Sequence, residues 1–197
     1  MDAQQRRRLT LATMIMTAFL AGVRLLRTSD GAEVGANVIA VTVLVALCAL
    51  LLALVVRRVR ACAENAARHR PGAVVVPGYT TAEMCDLAAV AGASTHGWLS
   101  MGGSPVAVVV TADGFEVWGR ADDAPRWVVR REPGAVAIGS GVYGSRIRRA
   151  VRLDDGTLGA VFVPAFRPLR ATGGMVGDDV ERAVAVLSGR GRAPLHG

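Results

Sequence analysis

Residues 34–56 read VGANVIAVTVLVALCALLLALVV, twenty-three positions without a charge. At about 1.5 Å per residue a helix of this length exceeds the roughly 30 Å hydrocarbon thickness of a bilayer. A soluble protein would need a far larger body to surround such a helix on every side. The stretch therefore predicts a membrane-spanning helix, with Asn37 near its outer end, where the amide reaches headgroups or water. The whole chain agrees: its 197 residues are 52% hydrophobic and its mean hydropathy is +0.38, unusual for a soluble domain. That length supports about one globular domain plus an extra element.

Upstream, residues 9–26 (LTLATMIMTAFLAGVRLL) form a second apolar run, broken by Arg24 near its end, where a guanidinium can snorkel to the interface. Arg6, Arg7 and Arg8 before it could be the start of a signal peptide. No small-residue cleavage site follows, however, because the next residues are Arg24, Leu25, Leu26 and Arg27. An uncleaved helix is expected, joined to the second by a turn at Ser29, Asp30 and Gly31, so that residues 1–60 make a transmembrane hairpin. Small residues on it (Ala12, Ala18, Ala21, Gly22, Gly35, Ala36, Ala40) allow close helix contact and hence homo-oligomers or docking onto a larger membrane complex.

All 23 basic residues are Arg. Ten of them face four acidic residues in 1–71, and thirteen face twelve in the remainder. The excess positive charge thus belongs to the ends of the apolar runs: Arg6, Arg7 and Arg8 before the first, Arg57, Arg58 and Arg60 after the second. Basic flanks stay on the cytoplasmic side, which predicts a multi-pass protein of the bacterial inner membrane with both termini inside. The near-neutral remainder argues against a nucleic-acid partner, and 5% aromatic content against a base-stacking platform. Cys48, Cys62 and Cys85 are odd in number and scattered, neither a disulfide framework nor a zinc site.

Residues 61–104 read as a juxtamembrane helix, a linker and a short helix. The Ala- and Arg-rich stretch 57–69 can prolong the second helix as far as Pro71-Gly72. The apolar AVVV at 73–76 is followed by Pro77-Gly78, taken as a turn. Thr80 and Glu83 have capping-box spacing and open a helix through about Ala91, with Met84, Leu87 and Ala88 on its apolar face. Beyond residue 104, short apolar runs alternate with turn signals. Strands are expected at 105–111, 115–120, 126–130, 135–138, 146–153 and 157–163. Asp113-Gly114 should make a hairpin in which glycine accepts a positive φ, and Asp154-Asp155-Gly156 a second one. On the strand after the first hairpin, Phe115 and Val117 alternate with Glu116 and Trp118, a half-buried pattern. Residues 176–187 form an amphipathic helix ended by Gly189, and 189–197 a frayed tail. The fold class is α+β: the hairpin, then at 105–188 a small antiparallel sheet or partly open barrel capped by the C-terminal helix.

The runs VAVVVTADGFEVWGR (106–120), DDGTL (154–158) and DDVERAVAVL (178–187) together resemble bacterial PH-like domains, which often follow one or two transmembrane helices. The resemblance covers 105–188 and implies a cytoplasmic binding or scaffolding module, for a protein partner or a lipid headgroup, without a catalytic centre.

Gly139, Gly141 and Gly144 spell the G-x-G-x-x-G of a dinucleotide site, which would make the chain a nucleotide-binding enzyme. The residues that follow run only to the turn at Asp154, and no repeated βαβ unit surrounds them. A loop between two strands is the expectation. Arg146, Arg148 and Arg152 share one face of an extended strand and are the candidate contact for anionic lipid or a partner. Arg149 breaks their alternation and needs a carboxylate or a strand edge. The plainer account of the stripe is a solvated face balanced by Glu116, Asp122 and Asp123. His69, His96 and His196 lack metal-ligand spacing, Ser94-Thr95-His96 is adjacency and not a triad, and Trp98, Trp118 and Trp127 suit the core. Neither metal nor cofactor is expected. The chain reads as a membrane-tethered binding module, or else as a structural subunit of a larger membrane complex.

Overall fold

The computed structural model describes residues 31–172 and 177–189. The expected first span at 9–26, Arg6, Arg7 and Arg8, and the tail beyond Gly189 lie outside them. The chain divides into two compact units, Met1–Ala53 and Leu54–Gly197.

One continuous helix, α1 (Gly31–His69), carries the uncharged stretch and the Ala- and Arg-rich stretch after it. Among the described residues it is the one helix long and apolar enough to cross a membrane. Ile39, Val43, Leu44, Leu47, Leu50 and Leu51 are all exposed, so among the described residues this part of the helix has no protein partner. Thr42 satisfies its hydroxyl locally by donating to the Val38 carbonyl at 2.8 Å.

The second unit is built on a seven-stranded antiparallel sheet. Its strands are β1 (Val74–Thr80), β2 (Pro105–Val110), β3 (Gly114–Trp118), β4 (Trp127–Arg130), β5 (Val136–Tyr143), β6 (Arg146–Asp154) and β7 (Gly159–Pro164). They lie in the order β4-β3-β2-β1-β7-β6-β5. Helix α2 (Ala82–Val90) joins β1 to β2, and α3 (Pro168–Thr172) and α4 (Asp179–Leu187) follow β7. The sheet curls into a half-barrel: Trp127 Nε1 on edge strand β4 donates to the Gly159 carbonyl at 3.1 Å, and the Arg130 N–H donates to Asp155 at 2.8 Å in the β6–β7 turn. Inside the curl, Val76, Val106, Val108, Phe115, Val117, Val129, Val151, Leu153 and Phe162 join Val180, Ala183 and Leu187 of α4 in one core.

The outer face of β1–β3 is covered as well. Val59, Cys62 and Ala66 of α1 are buried at helical spacing against Tyr79, Ala107, Val109 and Trp118. Covering both faces explains why β2 reads PVAVVV without alternation, as a strand buried on two sides does. It also corrects the half-buried reading of β3. Glu116 is 7% exposed and Trp118 1%, because α1 lies where water was expected. Glu116 accepts from Arg70 Nε and Nη2 and from Trp118 Nε1, and so fastens the end of α1 to the sheet.

Pro77-Gly78 is not a turn but the middle of β1, the central strand. The Pro77 carbonyl accepts from the Ala165 N–H at 2.8 Å, so the missing N–H faces the end of the β7 pairing, where no ladder partner is required. Glycine is needed next because a Cβ at 78 would lie 2.6 Å from Phe162 Cδ2. The β2–β3 hairpin lies where expected, for a different reason. Gly114 is not left-handed; a Cβ there would meet the Val129 carbonyl at 2.5 Å.

The cap of α2 shifts by one residue. Thr81, and not Thr80, accepts from the Met84 N–H at 3.2 Å, while its hydroxyl donates to the Val161 carbonyl at 2.8 Å. Glu83 does not close a capping box. Its carboxylate reaches edge strand β5 and accepts the Val142 N–H at 2.9 Å.

Candidate functional site

Strand β6 alternates as its sequence requires, placing Arg146, Arg148 and Arg152 on one face. Their surroundings differ. Arg146 is exposed, Arg148 is half-buried with its Nε hydrogen unpartnered among the described residues, and Arg152 pairs with Asp154 at 3.0 Å. Arg149, on the other face, has the required carboxylate: Nη2 lies 2.6 Å from Glu181 of α4. Of the carboxylates expected to balance the stripe, Glu116 is occupied by Arg70 and Asp122 by Arg126 at 2.8 Å. Among the described residues Arg146 and Arg148 meet no carboxylate.

The glycines at 139–144 are neither a phosphate cradle nor a loop. Strand β5 runs through Gly139 and Gly141 to Tyr143 and pairs along its whole length with β6. Gly144, at φ +61°, opens a two-residue hairpin turn with glycine first, the pattern of a type II′ turn. No helix N-terminus follows to receive a pyrophosphate. Gly141 is required by α2: a Cβ there would lie 2.7 Å from Thr81 Cγ2.

The β5–β6 turn lies at the end of the second unit where the chain enters it. Val55 and Val59, at the close of the apolar run, pack with Tyr79, Tyr143, Ala165 and Ala171. The Tyr79 and Tyr143 rings meet edge to face with centroids 5.7 Å apart. Tyr143 is directly across the turn from Arg146, and the Gly144 N–H donates to the Met101 carbonyl at 2.8 Å. Around this end Met101, Ile147 and Leu169 are 55%, 74% and 41% exposed. Arg57, Arg58 and Arg60 are exposed on α1, off the buried stripe.

Sequence reasoning missed this end of the domain. Its signal was present in the spacing of Val55, Val59, Cys62 and Ala66, a helical stripe continuing past the last residue of the uncharged run. Burial pushes the Cys62 thiol up to about 12, with Asp122 nearby acting in the same direction. Asn65, also in the stripe, donates to the Asp122 and Gly119 carbonyls at 2.8 and 3.3 Å. Ser94 Oγ accepts the backbone N–H of His96 at 3.2 Å, a turn contact that orients no imidazole. Among the described residues no group of three or more His, Cys, Asp or Glu is placed to hold a metal ion. No family model, no curated protein and no solved structure matches the chain.

Proposed function

We propose that the chain is a multi-pass protein of the bacterial inner membrane, both termini cytoplasmic, that presents a PH-like binding module at the membrane. One observation carries the reading. The helix with the exposed, uncharged surface of a membrane span continues without a break into the helix that covers the outer face of β1–β3. Hairpin-joined antiparallel strands closed by the amphipathic α4 support the PH-like assignment. Arg57, Arg58 and Arg60 just beyond the apolar run support a cytoplasmic domain. Such a module acts by holding a ligand or partner and needs no reaction centre. Arg146 and Arg148, free of carboxylates among the described residues, are its cations for an anionic ligand. Washing membranes with alkaline carbonate should leave the full-length protein in the pellet, and an alkaline phosphatase fused after Gly197 should stay inactive while a fluorescent protein there glows. Release by carbonate, or an active phosphatase, would overturn the proposal. A subunit whose domain only packs on neighbours within a larger complex would pass both tests, but would be indifferent to Arg146→Gln with Arg148→Gln in binding to anionic vesicles.

A further inference from the structure

We infer that the end of the domain around the β5–β6 turn is a lipid-contact surface, seated in the headgroup layer of an anionic leaflet. The inference rests on the membrane-spanning reading of α1 and adds to it which part of the domain touches lipid. The apolar run ends at Val56, and Val55 and Tyr143 both pack on one buried cluster of Val59, Tyr79, Ala165 and Ala171. One helical turn advances about 5.4 Å, and the interfacial layer on each side of a bilayer is roughly 5–7 Å deep. Sharing that cluster with Val55 keeps Tyr143 and the turn beside it close to the last apolar residue, the level at which headgroups would begin.

The chemistry of this end suits that depth. Tyr143, half-buried here beside the buried Tyr79, has an amphipathic ring of the kind enriched at the boundary of hydrocarbon and water. Met101, Ile147 and Leu169 offer apolar side chains to the interface while remaining outside the core. Arg146, across from Tyr143, adds a cation to those of Arg57 and Arg58 on the helix. Cations beside an anionic leaflet gain attraction that a neutral partner would not supply. The β2–β3 turn at Ala112 and Asp113, beyond the Val110 end of β2, lies away from Tyr79, which pairs with Pro105 at the other end, and is the comparison site.

The test uses the full chain in vesicles, with Cys48→Ala and Cys85→Ala and the buried Cys62 left in place. A fluorophore is attached in turn through Met101→Cys, Ser145→Cys and Ala112→Cys, and quenching by lipid carrying a headgroup nitroxide is measured. Labels at 101 and 145 should be quenched at least several-fold more than the label at 112, and more in phosphatidylglycerol vesicles than in phosphatidylcholine. Adding Arg146→Gln should weaken the anionic-lipid preference by about fivefold, the worth of one cation near such a surface. Equal quenching at all three sites would overturn the inference, as would shielding of 101 and 145 from both lipid and aqueous quenchers, which would show protein covering that face. Quenching independent of phosphatidylglycerol would overturn the role of Arg146. A carbonate wash of the same vesicles separates the two levels: protein that stays in the bilayer but shows no quenching refutes the contact surface alone, and protein that is washed out refutes the span.

Discussion

Cys62 and Asn65 lie one turn apart on α1 and show how single side chains join it to the sheet. Cys62 donates to the Pro105 carbonyl at 3.4 Å from a site with no exposure, so its thiolate is disfavoured. Maleimide should leave Cys62 unmodified in the folded protein and modify it after unfolding, as mass spectrometry would show. A thiol held at about 12 against an ordinary 9 has the sign of a raised acid. Its contribution to stability is complete below pH 9 and is lost as pH rises toward 12. Thermal unfolding in detergent should therefore show an alkaline decline that Cys62→Ala reduces. Asn65 brings a polar amide into an apolar stripe because two carbonyls of the β3–β4 turn require a donor. Replacing it with Leu should lower stability by about 1–3 kcal/mol in denaturant titrations, the usual result of orphaning buried acceptors.

Among the elements, β5 separates two glycines that the sequence presents as equivalents. A Cβ at Gly139 would make ordinary contact, 3.4 Å from Arg152 Cβ, while one at Gly141 would press on Thr81, whose hydroxyl is already held by α2 and β7. Gly139→Ala should leave the melting temperature within a degree or two, while Gly141→Ala should destabilise by about 1–3 kcal/mol, as overpacking does. Calorimetry on the pair decides between a structural and a nucleotide-binding origin of the glycines. The hairpins at Asp113 and Asp155 and the C-terminal helix were legible in the sequence, because turn residues and helical periodicity act over a few positions. The central strand β1 was not, because Pro77-Gly78 has the local signature of a turn. Only the pairing of Gly78 beside Phe162, eighty-four positions away, makes it extended.

Across the whole molecule, carboxylates at the ends of elements govern the response to acid. Asp154 is held below its ordinary range by the Gly156 N–H and Arg152, Asp155 by the Leu158 N–H, Asp178 by Arg167, and Glu181 by its own N–H and Arg149. Lowered values mean that their stabilisation is present above the ordinary carboxylate pKa, about 4, and is lost as pH falls through the lowered ones. Unfolding midpoints should stay level from about pH 5 to 8 and fall below about pH 4. The helix long and apolar enough to cross a membrane needed only composition and length, since whether an uncharged run can lie in hydrocarbon depends on that run alone. The same held for the positions of most strands. What covers each strand face was settled only in three dimensions. The stripe on α1 that buries Glu116 and Trp118, the clasp of Glu83 on β5, and the cluster that holds Val59 with Ala165 and Ala171 join residues dozens of positions apart. Periodicity along a chain says which side of an element is apolar. It carries no information about which distant surface arrives to cover the other side.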